Sequence, residues 1–429
     1  MKKKIIKDIL LFTIIPIVMG IVGLLLMAIA FLIPAKYINK NIEKSVDILL
    51  KEGDYFSLIP GMPGDKCDNY TDAIYLNEAL VSTDDVGLLE CILGGYRFIE
   101  KEDLTNKSLQ EVEILAKSIT NKEELSLYPG CRRFFNGYQV ILKIMLIVTS
   151  YTGIRIINIL MVSILFAVLC ILMHKKGLTR YILPVLISII FINPIAISYC
   201  MTFVGFYYCM IIPCIIILLM DKEKLEKNGW IFFEIIGACA FYFNMNYFQL
   251  LTFGMPLLFY FLITGIPENI KELVKTIAKL FISWFFGYAG LMIFKWITYA
   301  ILLNPEIFKE MIKTMIVRSS TNRGSRSEGL LINCQVALNN IWWNALELLF
   351  ILYSFINHIR TSKNKQKLFT RQEIILLLIM IMLPICRYII FSNHVIIHNW
   401  VTYRILMMPI LTFNILITKK GETDGLRKI

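Results

Sequence analysis

The sequence is short of charge. Asp, Glu, Lys and Arg together make up only 18% of 429 residues, against 57% hydrophobic residues. So little polar surface cannot coat a soluble globule of this length, and the apolar excess points to helices that face lipid. Acidic residues are the scarcer sign, 32 against 44 basic, for a net charge of +12. That surplus does not indicate nucleic-acid binding. The basic residues fall in short clusters between apolar runs, as in loops that face anionic headgroups. The ten cysteines contain no C-x-x-C pair and no zinc spacing. Three of them (Cys67, Cys91 and Cys131) lie in a polar segment, where one disulfide is open to them. No internal repeat of the kind common in transporters is evident.

What the chain does have is a series of apolar runs. A basic leader (Lys2, Lys3, Lys4, Lys7) precedes a run of about 24 residues, 10–33, long enough to cross a hydrocarbon core of ~30 Å. It ends at Ile33-Pro34-Ala35-Lys36, a poor peptidase site, so it is expected to stay as an anchor, 1–33. A polar segment follows, 34–138, with 18 acidic and 12 basic residues. Apolar residues at helical spacing over 71–81 and again over 108–119 predict a small, mostly helical domain there. The run 140–148 is too short to span and carries Lys143, which suggests a helix lying flat at the interface. Candidate spans then fall at 154–172, 181–199, 203–220, 230–242, 247–263, 280–303, 336–356, 374–390 and 401–417. With the anchor, the expectation is an all-α polytopic membrane protein of about ten transmembrane helices, the bundle occupying 139–429.

Charge sets the expected orientation. With the N-terminus inside, the inner connections are 1–8, 174–180, 221–228, 265–279, 358–373 and 419–429, and these hold 22 of the 44 lysines and arginines. The positive-inside rule then places both termini in the cytoplasm and segment 34–138 outside a plasma membrane. Under that assignment the unusual polar residues gather at the outer ends: Asp68 to Asp72, Arg132-Arg133, Arg155, Asn193-Pro194, Asn244 to Asn246, Arg318 to Arg326, and Asn393 to Arg404. Ionisable groups at an apolar boundary are costly and mark substrate or ion paths.

Each of these groups has a chemical and a structural reading. Asp68 and Asp72 are four residues apart and share a helix face, where a carboxylate serves as general base; as structure, Asp68 or Thr71 caps the helix. Arg132 and Arg133 precede Phe134-Phe135-Asn136-Gly137-Tyr138 at the point of re-entry, which suits a phosphate held at headgroup depth or plain interfacial anchoring. Arg318, Arg323 and Arg326 lie in an expected outer loop, either a lid over an anionic ligand or a solvated turn. His394 and His398 are spaced for a metal, but no glutamate stands between or beside them, so phosphate or sugar contact by Asn393, His394, His398 and Arg404 is the better reading. Asn244 and Asn246, with Gln249 and Thr252, also suit a tight hairpin whose polar groups satisfy backbone ends.

At these residues the chain begins to resemble the GT-C-type membrane glycosyltransferases, which place one long extracytoplasmic loop with an acidic motif directly after the first span. More closely, Asp68-Asn69-Tyr70-Thr71-Asp72-Ala73, Arg133-Phe134-Phe135-Asn136-Gly137-Tyr138, Ile154-Arg155-Ile156-Ile157-Asn158 and His398-Asn399-Trp400-Val401-Thr402-Tyr403-Arg404 are similar to blocks in bacterial multi-span proteins, some of which accompany surface-polysaccharide genes. The resemblance implies transfer of a sugar from a polyprenyl-phosphate donor to a hydroxyl of a glycan or lipid acceptor. It maps the loop aspartate to Asp68 or Asp72. It assigns the departing phosphate to Arg132, Arg133, Tyr138, Arg155, Arg318, Arg323, Asn393, His394, His398 and Arg404. No cofactor is required, and a divalent metal remains open. The acidic motif lies about 35 residues past the first span, farther than is usual in that family, which leaves the choice of base open. A transporter or flippase of a lipid-linked glycan is the alternative from another class.

Overall fold

The computed structural model describes residues 2–101, 109–243, 247–361 and 369–418. Asn244 to Asn246 and the basic 419–429 and 362–368 stretches lie outside the described residues.

The chain is mostly helical, with little sheet. Among the described residues, six helical stretches are long and apolar enough to cross a membrane: Phe12–Phe31, Tyr151–Lys175, Met201–Leu219, Ile270–Leu302, Arg371–Ile390 and Asn399–Thr418. Their side chains sort by face. Along Tyr151–Lys175, Ile154, Asn158, Val162, Leu169 and Met173 are buried, while Ile156, Leu160, Ile164 and Ile171 are exposed. Apolar residues outside as well as inside are what lipid, rather than water, demands.

Two of the ten expected spans are broken, each for a local reason. The 181–199 run divides into Ile182–Phe191 and Pro194–Tyr199, because Asn193 adopts a left-handed conformation (φ 56°) and Pro194 starts a new helix. Asn193 caps the second piece through the Ala196 N–H (3.1 Å) and donates to Asp65. The 336–356 run divides at Asn339-Asn340 into Arg326–Leu338 and Ile341–Thr361. The 230–242 and 247–263 runs lie within or overlap the helices Lys222–Tyr242 and Leu251–Thr264. The 140–148 run forms the helix Tyr138–Val148, with Lys143 buried against Asn69–Leu80.

The 34–138 segment is not purely helical. Its helices Lys36–Glu52, Asn69–Leu80, Leu88–Gly94 and Glu111–Thr120 are accompanied by two two-stranded antiparallel sheets, the hairpin β1 (Tyr55–Ser57) with β2 (Lys66–Asp68), and β3 (Tyr96–Glu100) with β4 (Leu125–Pro129), between which Glu111–Thr120 is inserted. All ten cysteines are free thiols, so the disulfide open to Cys67, Cys91 and Cys131 is not formed. The domain is fastened to the bundle by lysines placed at helix C-termini. Lys143 donates to the Ala79 carbonyl (2.9 Å), and Lys295, from within Ile270–Leu302, donates to the Leu93 carbonyl (2.5 Å). Each cation faces the negative end of a helix dipole and satisfies a carbonyl that the helix leaves open.

Lys222–Tyr242 and Ile270–Leu302 pack backbone to backbone through two glycines. A Cβ on Gly237 would sit 1.9 Å from the Trp284 carbonyl oxygen, and one on Gly287 would sit 1.9 Å from the Glu234 carbonyl oxygen. Small residues at such crossings let dispersion and close approach hold helices that the hydrophobic effect does not separate from lipid. Gly237→Val and Gly287→Val are therefore expected to lower the melting temperature of the detergent-solubilised protein. In contrast, Gly177→Val, at a loop position with open space, costs only the strain of its positive φ. Fluorescence-detected size-exclusion after heating measures the difference.

Candidate active site

The site grows from the β1–β2 hairpin. Its register pairs Tyr55 with Asp68, Phe56 with Cys67 and Ser57 with Lys66. Facing residues in an antiparallel pair share a side, and neighbours along a strand alternate. One side therefore carries Phe56 and Cys67, and the other carries Tyr55, Lys66 and Asp68. The first side is packing: Cys67 is buried and Phe56 meets Tyr199 edge-on at 6.2 Å. The second side meets chemistry. The Lys66 ammonium lies 4.3 Å from the Tyr55 ring and 5.2 Å from the Trp400 ring.

Asp68 ends β2 and caps Asn69–Leu80, accepting from the Thr71 N–H (3.1 Å) and the Thr71 hydroxyl (2.8 Å). It is only 1% exposed. Burial, followed by the nearby Asp72 charge, pushes its carboxyl up to about 7, against the opposing pull of the Thr71 hydrogen bonds and Lys66. A carboxyl at that value takes or gives a proton near neutrality.

Asp72, one turn on, has a different environment. Its Oδ2 accepts from the Tyr151 hydroxyl and the Met201 N–H (2.9 Å); its Oδ1 accepts from the Thr202 N–H (2.9 Å) and hydroxyl (2.7 Å). The two N–H groups open the helix Met201–Leu219, so Asp72 caps a helix 129 positions away in sequence. Both oxygens are occupied by donors that exist to hold them.

The cationic half of the site comes from three other places. The helix Ile307–Ser319 places Glu310, Thr314 and Arg318 at four-residue intervals on one face. Glu310 binds Arg132 (2.5 Å) and faces Arg133 at 3.6 Å, while Thr314 accepts from Arg133 (3.0 Å). Arg318, in the last turn, lies 5.9 Å from the Phe134 ring, and Arg133 lies 5.5 Å from the same ring. No described residue gives Arg318 a hydrogen bond or a carboxylate partner. Burial and the charge of Arg133 hold its pKa below the usual arginine range. Arg387, near the end of Arg371–Ile390, donates to the Tyr247 carbonyl (3.1 Å). Between these groups, His394 and His398 have ring centroids 4.8 Å apart, and both pack on Tyr247, at 5.8 and 5.0 Å. Burial, then Arg318, depresses both imidazoles, His398 to about 4, so both are neutral at pH 7. The Tyr247 side chain adjoins Thr71 and lies in the field of Asp68, which joins the acidic and cationic halves.

The remaining expected ligands are placed elsewhere, and each has a reason. Arg155 makes a buried bidentate pair with Glu52 (2.9 and 2.8 Å), with further bonds to Asn69 and the Tyr199 carbonyl. Arg404 is fully buried and donates to the carbonyls of Ile192 (2.8 Å) and Gly64 (3.0 Å), holding the β1–β2 loop. Tyr138 stacks on Tyr75 and donates to Glu78. Asn393 donates to the Val317 carbonyl (2.8 Å), pinning the turn that carries Arg318. Arg132 is consumed by Glu310. Arg323 is exposed on the turn between Ile307–Ser319 and Arg326–Leu338, so the expected loop of three arginines is two helices joined by a short turn. Sequence reading missed Tyr55, Lys66, Tyr247 and Arg387. The one available signal was an arginine inside an otherwise apolar run. Among the described residues, no group of three or more His, Cys, Asp or Glu side chains is placed to hold a metal ion.

Comparison of the chain with protein-family models, with curated proteins and with solved structures found no match in any of the three. The reading therefore rests on the geometry. It predicts that Asp72→Asn, which turns an amide toward four donors, destabilises the fold by about 1–3 kcal/mol. The loss is expected as a lowered melting temperature at pH 7 and is checked by thermal unfolding in detergent.

Proposed function

We propose that the protein is an integral-membrane glycosyltransferase that moves a sugar from a polyprenyl-phosphate donor to a hydroxyl acceptor at the outer membrane face, in surface glycan or glycolipid synthesis. The observation that carries this reading is the Arg318 guanidinium, which has no hydrogen-bond or carboxylate partner among the described residues and is set with Arg133 and Arg387 around neutral histidines, beside a carboxyl poised near pH 7. A guanidinium at an apolar boundary without a described carboxylate favours an anion, and guanidinium suits phosphate. In this mechanism Asp68 takes the proton of the acceptor hydroxyl. The oxygen attacks the sugar's anomeric carbon, and the carbon–oxygen bond to phosphate breaks. The phosphate leaves with the bonding pair into the field of Arg318, Arg133 and Arg387, with inversion at the carbon. Neutral His394 and His398 donate hydrogen bonds to phosphate or sugar oxygens. Asp72 keeps the base in place.

The orientation expected from charge, with 34–138 outside, brings the site to the leaflet where flipped lipid-linked sugars are presented. A second reading, a transporter of lipid-linked glycan, is favoured by Glu234, which is buried in Lys222–Tyr242 with neither carboxylate oxygen partnered among the described residues. Glu234→Gln is expected to leave sugar transfer intact. Transport is supported if the protein releases no polyprenyl phosphate from the donor and Glu234→Gln stops movement of a lipid-linked glycan across proteoliposomes.

Asp68→Asn preserves a good N-cap and removes the base. It is expected to fold normally and to release polyprenyl phosphate from a panel of polyprenyl-phosphate hexoses at least about 100-fold more slowly. The pH dependence has a definite sign. Because the Asp68 pKa is raised, to about 7, the native state holds a proton that the unfolded state loses near the ordinary aspartate value. Stability therefore falls as pH rises from about 4 to about 7, and Asp68→Asn is expected to remove that slope. Activity runs the other way, lost as pH drops through about 7. Arg318→Ala, with no partner to strand, is expected to keep the melting temperature and weaken polyprenyl-phosphate binding in nanodiscs by about tenfold or more.

A further inference from the structure

We infer that Arg180 marks a binding site for an anionic phospholipid, at the helix ends that the charge bias places inside. The phosphate sits on the guanidinium, and acyl chain fills an adjoining apolar cleft. Two clefts, of about 190 and 300 Å³, open there, and Arg180 lines both. A single water needs only about 10–15 Å³, so each has room for more than solvent. The smaller cleft is walled by Leu258, Phe261, Leu262, Leu376, Ile415 and Leu416. Its one threonine, Thr412, spends its hydroxyl on the Met408 carbonyl (2.7 Å). The larger cleft adds polar groups, Thr179, Ser354, Asn357 and Thr418, beside Phe350 and Ile417. Thr179 and Asn357 are exposed, which leaves its mouth open.

The chemistry of the two clefts selects the ligand. Arg180 belongs to the single turn Thr179–Tyr181 that leads into Ile182–Phe191. Its guanidinium lies 4.9 Å from the centre of the Tyr181 ring, which is itself buried. Stacking fixes the guanidinium plane, and the N–H groups in that plane match two phosphate oxygens. Lys175 and Lys176 stand just before it in the chain. The helix ends around the clefts border 174–180, 265–279, 358–373 and 419–429, all of them basic connections. The local field therefore favours net negative charge, as on the cytoplasmic leaflet. A free inorganic anion gains nothing from the apolar walls. A zwitterionic headgroup brings its own cation into a positive field. An amphiphile with an anion at the junction of headgroup and chains uses the guanidinium, the polar rim and the apolar cleft together. The site shares no residue with the Asp68 and Arg318 centre, so it stands apart from the transfer reading.

The test uses the full-length protein in nanodiscs that carry phosphatidylglycerol or phosphatidylcholine with the same photoreactive acyl chain. Cross-linked peptides are mapped by mass spectrometry. Phosphatidylglycerol is expected to label the peptides around Leu258–Ile266 and Thr412–Leu416 about fivefold more than phosphatidylcholine. Arg180→Gln should remove that excess while the melting temperature in detergent holds. Ile266→Trp, which fills the apolar cleft from a partly exposed loop position and keeps Arg180, should lower labelling of Thr412–Leu416 by both lipids. Equal labelling by the two lipids overturns the site, as does an excess that survives in Arg180→Gln. If Arg180→Gln does not fold, Ile266→Trp decides: unchanged labelling of Thr412–Leu416 by phosphatidylglycerol overturns the site, and its loss supports it.

Discussion

The buried carboxylate of Asp72 is the contact on which the arrangement depends. It receives two backbone N–H groups from the start of Met201–Leu219, a threonine hydroxyl and a tyrosine hydroxyl. A charge taken out of water costs several kcal/mol unless every lone pair is met, and here each is. The bond set joins a domain helix to two bundle helices at once. It also fixes the rotation of Asn69–Leu80, and with it the direction of Asp68 one turn earlier. Arg155 with Glu52 and the two lysines on the Ala79 and Leu93 carbonyls add to the same joint.

Two aspartates on one helix face, both with carboxyls raised first by burial, thus differ in how many donors they meet. Asp72 is saturated by donors. Asp68 is buried with one threonine as its hydrogen-bonding partner, and its carboxyl rises to about 7. The difference between them is one of environment rather than of chemistry. The arginines divide in the same way. Arg155, Arg404 and Arg132 spend their donors on carbonyls and carboxylates, whereas Arg318 has none to spend them on. A half-buried guanidinium without a carboxylate among the described residues favours an anion, which is the group the proposed substrate supplies.

The membrane character of the chain was legible because it follows from composition and run length, and backbone satisfaction in lipid admits few other structures. The helix after Asp68 was legible as well, from its cap and spacing. The breaks at Asn193-Pro194 and Asn339-Asn340 lay in plain sight, yet hydropathy averages over them. The two small sheets were missed because three- and five-residue strands carry almost no periodicity. Arg387 was passed over because a single charge does not lower the apolarity of a twenty-residue run.

Sequence alone determined that this chain buries apolar helices, that one polar domain of 34–138 interrupts them, and that acidic and basic groups recur at their ends. Tertiary structure decided which of those groups are partners and which are left facing one another. The reason is physical. Whether a carboxylate or guanidinium reacts or merely holds depends on how many donors and counter-charges surround it, and here those come from residues more than a hundred positions away.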